Sequence, residues 1–189
     1  PADAVSSVTG GGGVPTFTSR SSTLYNSNLN RVSIWSAVPT ADYTGTLTIN
    51  FCGVTQTGAV WSLDEYVGVD STTTDGIVQQ ADGTGNSGTA LATLAAFAST
   101  SNPTFGAFGH AAATASAPGS GFAELADQTQ ATPAQALSTT HRVDSGTTVD
   151  FSTQTTNIGD TNPNGPEVGI YGLEPNGWGV AAIFINGDN

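Results

Sequence analysis

This sequence predicts an all-β fold, an antiparallel two-sheet β-sandwich of about nine or ten strands. Three observations predict it. Apolar residues recur with a period of two in short runs. Clusters of Gly, Ser, Asn and Pro separate those runs. The composition is rich in strand and turn formers, with 29 Thr, 18 Ser and 24 Gly among 189 residues.

From the start of the chain, residues 1–14 end in a glycine run and read as a flexible entry to a single domain spanning 1–189. RVSIWSAV (31–38) sets Val32, Ile34, Ser36 and Val38 against Arg31, Ser33, Trp35 and Ala37. TLTINF (46–51) is the cleanest alternation, with Leu47, Ile49 and Phe51 on one face and Thr46, Thr48 and Asn50 on the other. VWSLDEYVGV (60–69) follows the turn residues GVTQTG. Strands are then expected around TALATLAAFA, PTFGAFGHA, GFAELADQT, LSTTHRV, TTVDFSTQT and WGVAAIFI. In ALATLAAFA, Leu91, Leu94, Ala95 and Ala98 also fall at helical spacing, so a helix is the alternative there. DGTGNSG (82–88) and DTNPNGPE (160–167) read as surface loops rather than linkers.

The adjacent acids Asp64 and Glu65 invite an active-site reading. In a strand they point to opposite faces and cannot flank one scissile bond. Glu65 shares its face with Trp61, Leu63 and Val67, which reads as a core face. A buried carboxylate is costly unless partnered, and Arg31, which shares a face with Trp35, is the expected partner, with loop backbone amides as the alternative. Asp64 reads as wet.

Charge excludes partners. Three arginines, no lysine and 15 acids give a formal net charge of −12. Nucleic-acid binding needs a cationic footprint, and anionic membranes repel such a chain. The single Cys52 excludes an intrachain disulfide and reads as a small buried hydrophobe.

Asp160, Asn162 and Asn164, followed by Gly165, match the front half of a calcium loop, oxygen ligands at alternate positions before a tight turn. The acid expected at the twelfth position is replaced by Tyr171, so an ordinary turn competes with a structural calcium site, and no other cofactor is indicated. His141, Arg142 and Asp144 read as a surface ion pair, since no Gly-x-Ser-x-Gly elbow accompanies them. Among the aromatics, Trp35 and Trp61 read as core. Tyr171 and Trp178, among Gly and Asn, are the candidates for stacking on sugar rings.

Several segments occur in one order: SSVTGGGGVPTFTSR, NRVSIWSAV, TGTLTINF, WSLDEYVGVD, LATLAAFASTSNPTFGAFG and GWGVAAIFI. In this order the chain resembles the jelly-roll β-sandwich modules of tailed-phage, prophage and secreted bacterial proteins. The resemblance implies a virion or extracellular structural role such as capsid decoration, a head fibre or a tail component. It brings no catalytic residues. In that group a strand precedes the Gly-rich turn, and here little chain is left for one. An open sheet edge, β-augmentation by a partner and a homo-oligomer, with a trimer expected, follow from that reading. The function expected is therefore non-enzymatic assembly with itself and other virion proteins, with glycan recognition as the alternative.

Overall fold

A computed structural model describes residues 2–10, 16–37, 45–53, 55–69, 77–84, 91–96, 103–142, 148–150, 167–173 and 175–187. Among them there is no helix. The strands are β1 (Val5–Gly10), β2 (Thr18–Tyr25), β3 (Asn30–Ala37), β4 (Leu47–Phe51), β5 (Gly58–Val69), β6 (Ile77–Thr84) and β7 (Leu91–Thr93). They continue with β8 (Thr104–His110), β9 (Ala123–Ala131), β10 (Ala134–Arg142), β11 (Thr148–Asp150), β12 (Glu167–Leu173) and β13 (Pro175–Gly187). The fold is the all-β antiparallel sandwich that the period-two pattern predicts.

Two sheets make the sandwich. One has the order β2-β3-β13-β5 and the other β6-β12-β8-β10-β9, and every pairing is antiparallel. The last two strands enter the middle of the sheets, β13 between β3 and β5 and β12 between β6 and β8. Between the sheets lies a core of Tyr25, Val32, Ile34 and Val60 from the first and Phe105, Ala107 and Leu137 from the second. Val32, Ile34, Val60, Phe105 and Leu137 each contribute about 1.5–3 kcal/mol on removal from water.

A third layer was not visible in the alternation. β1 and β4 form a separate two-stranded ribbon. Its Val5, Val8, Leu47, Ile49 and Phe51 pack with Phe17, Trp35 and Ala37. β3 is thus covered on both sides, with Val32 and Ile34 facing the main core and Trp35 and Ala37 facing the ribbon. The alternation expected for Leu47, Ile49 and Phe51 against Thr48 and Asn50 is observed.

Three expectations are corrected here. The opening segment is not only an entry, because Val5–Gly10 is a strand paired along β4. A strand therefore does precede the glycine run, and Val5 and Val8 drive it by burial against Trp35. Cys52 is exposed; it follows the last paired residue of β4, where the chain turns at Gly53 with φ 113°. The alternation of β5 is read from the wrong side, as described below. The strand expected at the start of the TALATLAAFA segment is present, as Leu91–Thr93, and residues 91–96 form no helix.

Local chemistry explains the sharp turn between β2 and β3. Asn26, Ser27 and Asn28 all have positive φ, at 51°, 54° and 68°. Asn tolerates this region better than most residues because its short polar side chain bonds locally. The Asn28 carbonyl then accepts a hydrogen bond from the Ala2 amide at 2.8 Å, pinning the start of the described chain to this turn.

Candidate binding groove at the sandwich edge

β5 ends the four-stranded sheet and β9 ends the five-stranded sheet. The two strands meet along one side of the sandwich, where the Gln130 side chain of β9 lies against Gly58 of β5. A Cβ at Gly58 would collide with the Gln130 side-chain amide, so a larger residue there would have to push that amide aside.

The register of β13 decides which face of β5 looks inward. Ser62 lies opposite Ile183, which lies opposite the core residue Ile34. Accordingly Val60 and Ser62 are buried, while Trp61 is 54% and Leu63 46% exposed. Trp61 and Leu63 are therefore not core residues. Glu65, expected to be a buried acid, shares their exposed face.

The expected Glu65–Arg31 pairing is overturned for the same geometric reason. Arg31 stands opposite Asn186 of β13, whereas Glu65 stands opposite Val180. Six residues of extended strand separate those levels by about 20 Å. Arg31 instead donates from Nη1 to Ser22 Oγ at 3.0 Å and from Nε to the Ala2 carbonyl at 3.5 Å.

A groove of about 410 Å³ is lined by Ala59, Val60, Trp61 and Ser62 of β5 and by Gln128 of β9. Consecutive residues of a strand alternate between faces. A groove that touches four in a row therefore runs along the backbone edge of the strand, not over either face. The opposite edge of β5 is bonded to β13 along most of its length. Gln128 reaches the groove because it pairs with Leu137, whose side chain is in the core, and so points between the sheets.

Beyond the groove, Ser62 Oγ donates to Asp64 Oδ2 at 2.9 Å. Burial pushes the Asp64 carboxyl above its usual range, opposed by the Ser62 hydroxyl, by Thr139 and by the positive field of His141. Thr139 Oγ1 makes no hydrogen bond of standard geometry, so its effect on Asp64 is that of a nearby dipole. The Ser62 hydroxyl proton points to a carboxylate rather than to an imidazole. The arrangement therefore lacks the serine–histidine contact that makes an activated nucleophile. Asp64 is half-buried and Glu65 exposed, on opposite faces as alternation requires.

A hydroxyl–imidazole contact does occur elsewhere. His110 Nε2 and Ser116 Oγ are 3.0 Å apart, and the Ser116 amide donates to Asp127 Oδ2 at 2.9 Å. Both His110 and Ser116 are buried. Burial lowers the His110 pKa to about 4, with the Thr114 backbone acting the other way. A neutral, weakly basic and enclosed imidazole holds the segment after β8 onto β9, which is a structural role. Nothing in the spacing of these residues reveals the cluster, since it depends on the β8–β10–β9 register.

The remaining candidates are not brought together. Asp160, Asn162 and Asn164 lie outside the described residues. Tyr171 pairs with Gln80 and Phe105 in β12, and Trp178 pairs with Val67 in β13; their side chains lie outside the described part. Among the described residues no group of three or more His, Cys, Asp and Glu side chains is placed to hold a metal. Comparison with protein-family models, with curated proteins and with solved structures gives no match for this chain.

Proposed function

We propose that this chain is a non-enzymatic structural module of a virion or other extracellular assembly, acting through surface contact with further copies and with other proteins of the particle. The outer face of β5 is the observation that carries this reading. Trp61 and Leu63 stand more than two-fifths exposed on a strand at the end of a sheet. Large exposed apolar side chains on an edge strand are an aggregation liability that proteins normally blunt. They are retained where a partner covers them, and Trp is among the residues that anchor interfaces. The ribbon of β1 and β4 shields Trp35 and Ala37 on the same outer side of the sheet. A second copy can shield Trp61 and Leu63 in the same manner. The acidic composition and the sequence resemblance to phage modules support the setting.

Solution mass by light scattering tests it. A defined oligomer is expected for the native chain, and a monomer for the double variant Trp61→Ser with Leu63→Ser. A native chain that stays monomeric at all accessible concentrations rules the reading out.

One observation favours glycan recognition as a second reading. Trp61 forms one rim of a groove whose other wall is the Gln128 amide, a ring and a polar group of the kind that hold a sugar. Binding on a glycan array that disappears in Trp61→Ala is the expected signature of that role.

A further inference from the structure

We propose that the free edge of β5 is a docking slot for an extended polypeptide segment carrying lysine or arginine, taken up as an added strand. This rests on the assembly reading above and names the chemistry of the partner.

The groove runs beside Ala59, Val60, Trp61 and Ser62, a length of about 13 Å of strand. Among the described residues no strand pairs with β5 on this side, since its only strand partner is β13. The backbone N–H and C=O groups on this side of residues 59–62 therefore face the groove. An extended segment satisfies such groups by continuing the ladder. Gln130, lying against Gly58, closes one end, and Gln128 supplies an amide on the far wall.

Charge selects the occupant. Asp64 and Glu65 continue β5 beyond the groove, with Glu65 exposed on the face of Trp61 and Leu63. On β10, Arg142 lies over the Phe122 ring at 5.9 Å, and His141 acts on Asp64. A second copy brings its own formal charge of −12 to this edge, which opposes strand pairing by self-repulsion. A basic segment meets complementary charge along the edge, leaving the outer face of Trp61 and Leu63 to the contact between copies.

The test uses the full chain and a fluorescent, end-blocked nine-residue peptide alternating lysine with valine or threonine. Two control peptides accompany it, one with glutamate for lysine and one N-methylated along a single edge. The lysine peptide is expected to bind, to shift the backbone amide resonances of residues 59–62, and to weaken in salt above about 0.5 M. Both controls are expected to bind at least about tenfold more weakly. For the N-methylated one, that is the effect of losing roughly one to three backbone hydrogen bonds.

Equal binding of the N-methylated peptide overturns the proposal, because charge alone then suffices. Absence of any peptide binding overturns it too. Exchange-protected 59–62 amides in a self-assembled oligomer assign the edge to a second copy. A neutral oligosaccharide that binds through Trp61 and excludes the peptide assigns it to sugar. The mass measurement on the Trp61 and Leu63 double variant is a separate readout, so assembly can survive while the slot fails.

Discussion

Asn30 Nδ2 donates to Gln135 Oε1 at 3.3 Å, linking the two sheets through side chains 105 positions apart. Both residues are buried. The bond is one link in a run of amides. Asn26 Nδ2 donates to Asn30 Oδ1 at 2.6 Å, Gln135 Nε2 to Gln130 Oε1 at 2.6 Å, and Gln130 Nε2 to the Thr132 carbonyl at 2.9 Å. The run joins the β2–β3 turn to the β9–β10 hairpin.

Removing Gln135 breaks this run at its centre. Gln135→Ala leaves the Asn30 donor and the Gln130 acceptor without this partner. A cost of about 2–3 kcal/mol is expected, since each buried orphan costs about 1–3 kcal/mol. Urea unfolding monitored by circular dichroism measures it. A loss below about 0.5 kcal/mol would show that the amides act independently.

His110 sets a pH dependence. Its pKa falls from 6.5 to about 4 on folding, so between these values the unfolded chain binds the proton and the native chain does not. Stability is full above pH 6.5 and declines as the pH falls to about 4. The total loss is about 3 kcal/mol at 1.36 kcal/mol per pH unit. Asp64 and Asp127 have carboxyls pushed up by burial, which favours the folded state at low pH and works against this trend. The difference between native protein and His110→Asn isolates the histidine. Parallel stability–pH curves for the two would contradict the assignment.

Gly121 is held at φ +84°, and a Cβ there would approach Arg142 Nη1 to 2.7 Å. Gly121→Ala is therefore expected to cost about 1–2 kcal/mol from the backbone alone. It should also displace the guanidinium from Phe122. Thermal unfolding gives the first effect, and the chemical shifts of the Phe122 ring give the second. Unchanged Phe122 shifts would mean that the arginine moves aside without leaving the ring.

Cys52 is exposed after β4, so it should react fully with a disulfide reagent such as DTNB in the absence of denaturant. Reaction only after unfolding would return it to the buried position that its INFCGV setting suggests.

Period-two alternation states which residues share a face and is silent about which face is inside. For β4 the reading is right because one face is covered and the other is wet. For β3 both faces are covered, by the opposite sheet and by the β1–β4 ribbon, so no single polar face marks the strand. For β5 the apolar side of Trp61 and Leu63 looked inward, yet the β13 register turns Ser62 and Val60 to the core. Register across a sheet is set by partners more than 100 residues away, and a one-residue slip inverts every side chain. The groove was illegible for the same reason, since it exists only where β5 and β9 meet. Carboxylate separation, by contrast, was legible, because it depends only on adjacent residues in one strand.

The placement of β12 and β13 bears on how the protein is made. Each fills the middle of a sheet, so β3 and β5 have no shared neighbour until residues 175–187 have left the ribosome, and the same holds for β6 and β8 until 167–173 have done so. Loop-closure entropy must be met before such distant pairings form, which makes high-contact-order sheets slow to fold. During synthesis the edges of β3, β5, β6 and β8 therefore stand open together, and nascent chains on one polysome are exposed to pairing with each other. The excess of negative charge, −12 over the full chain, opposes association of neighbouring nascent chains through that interval.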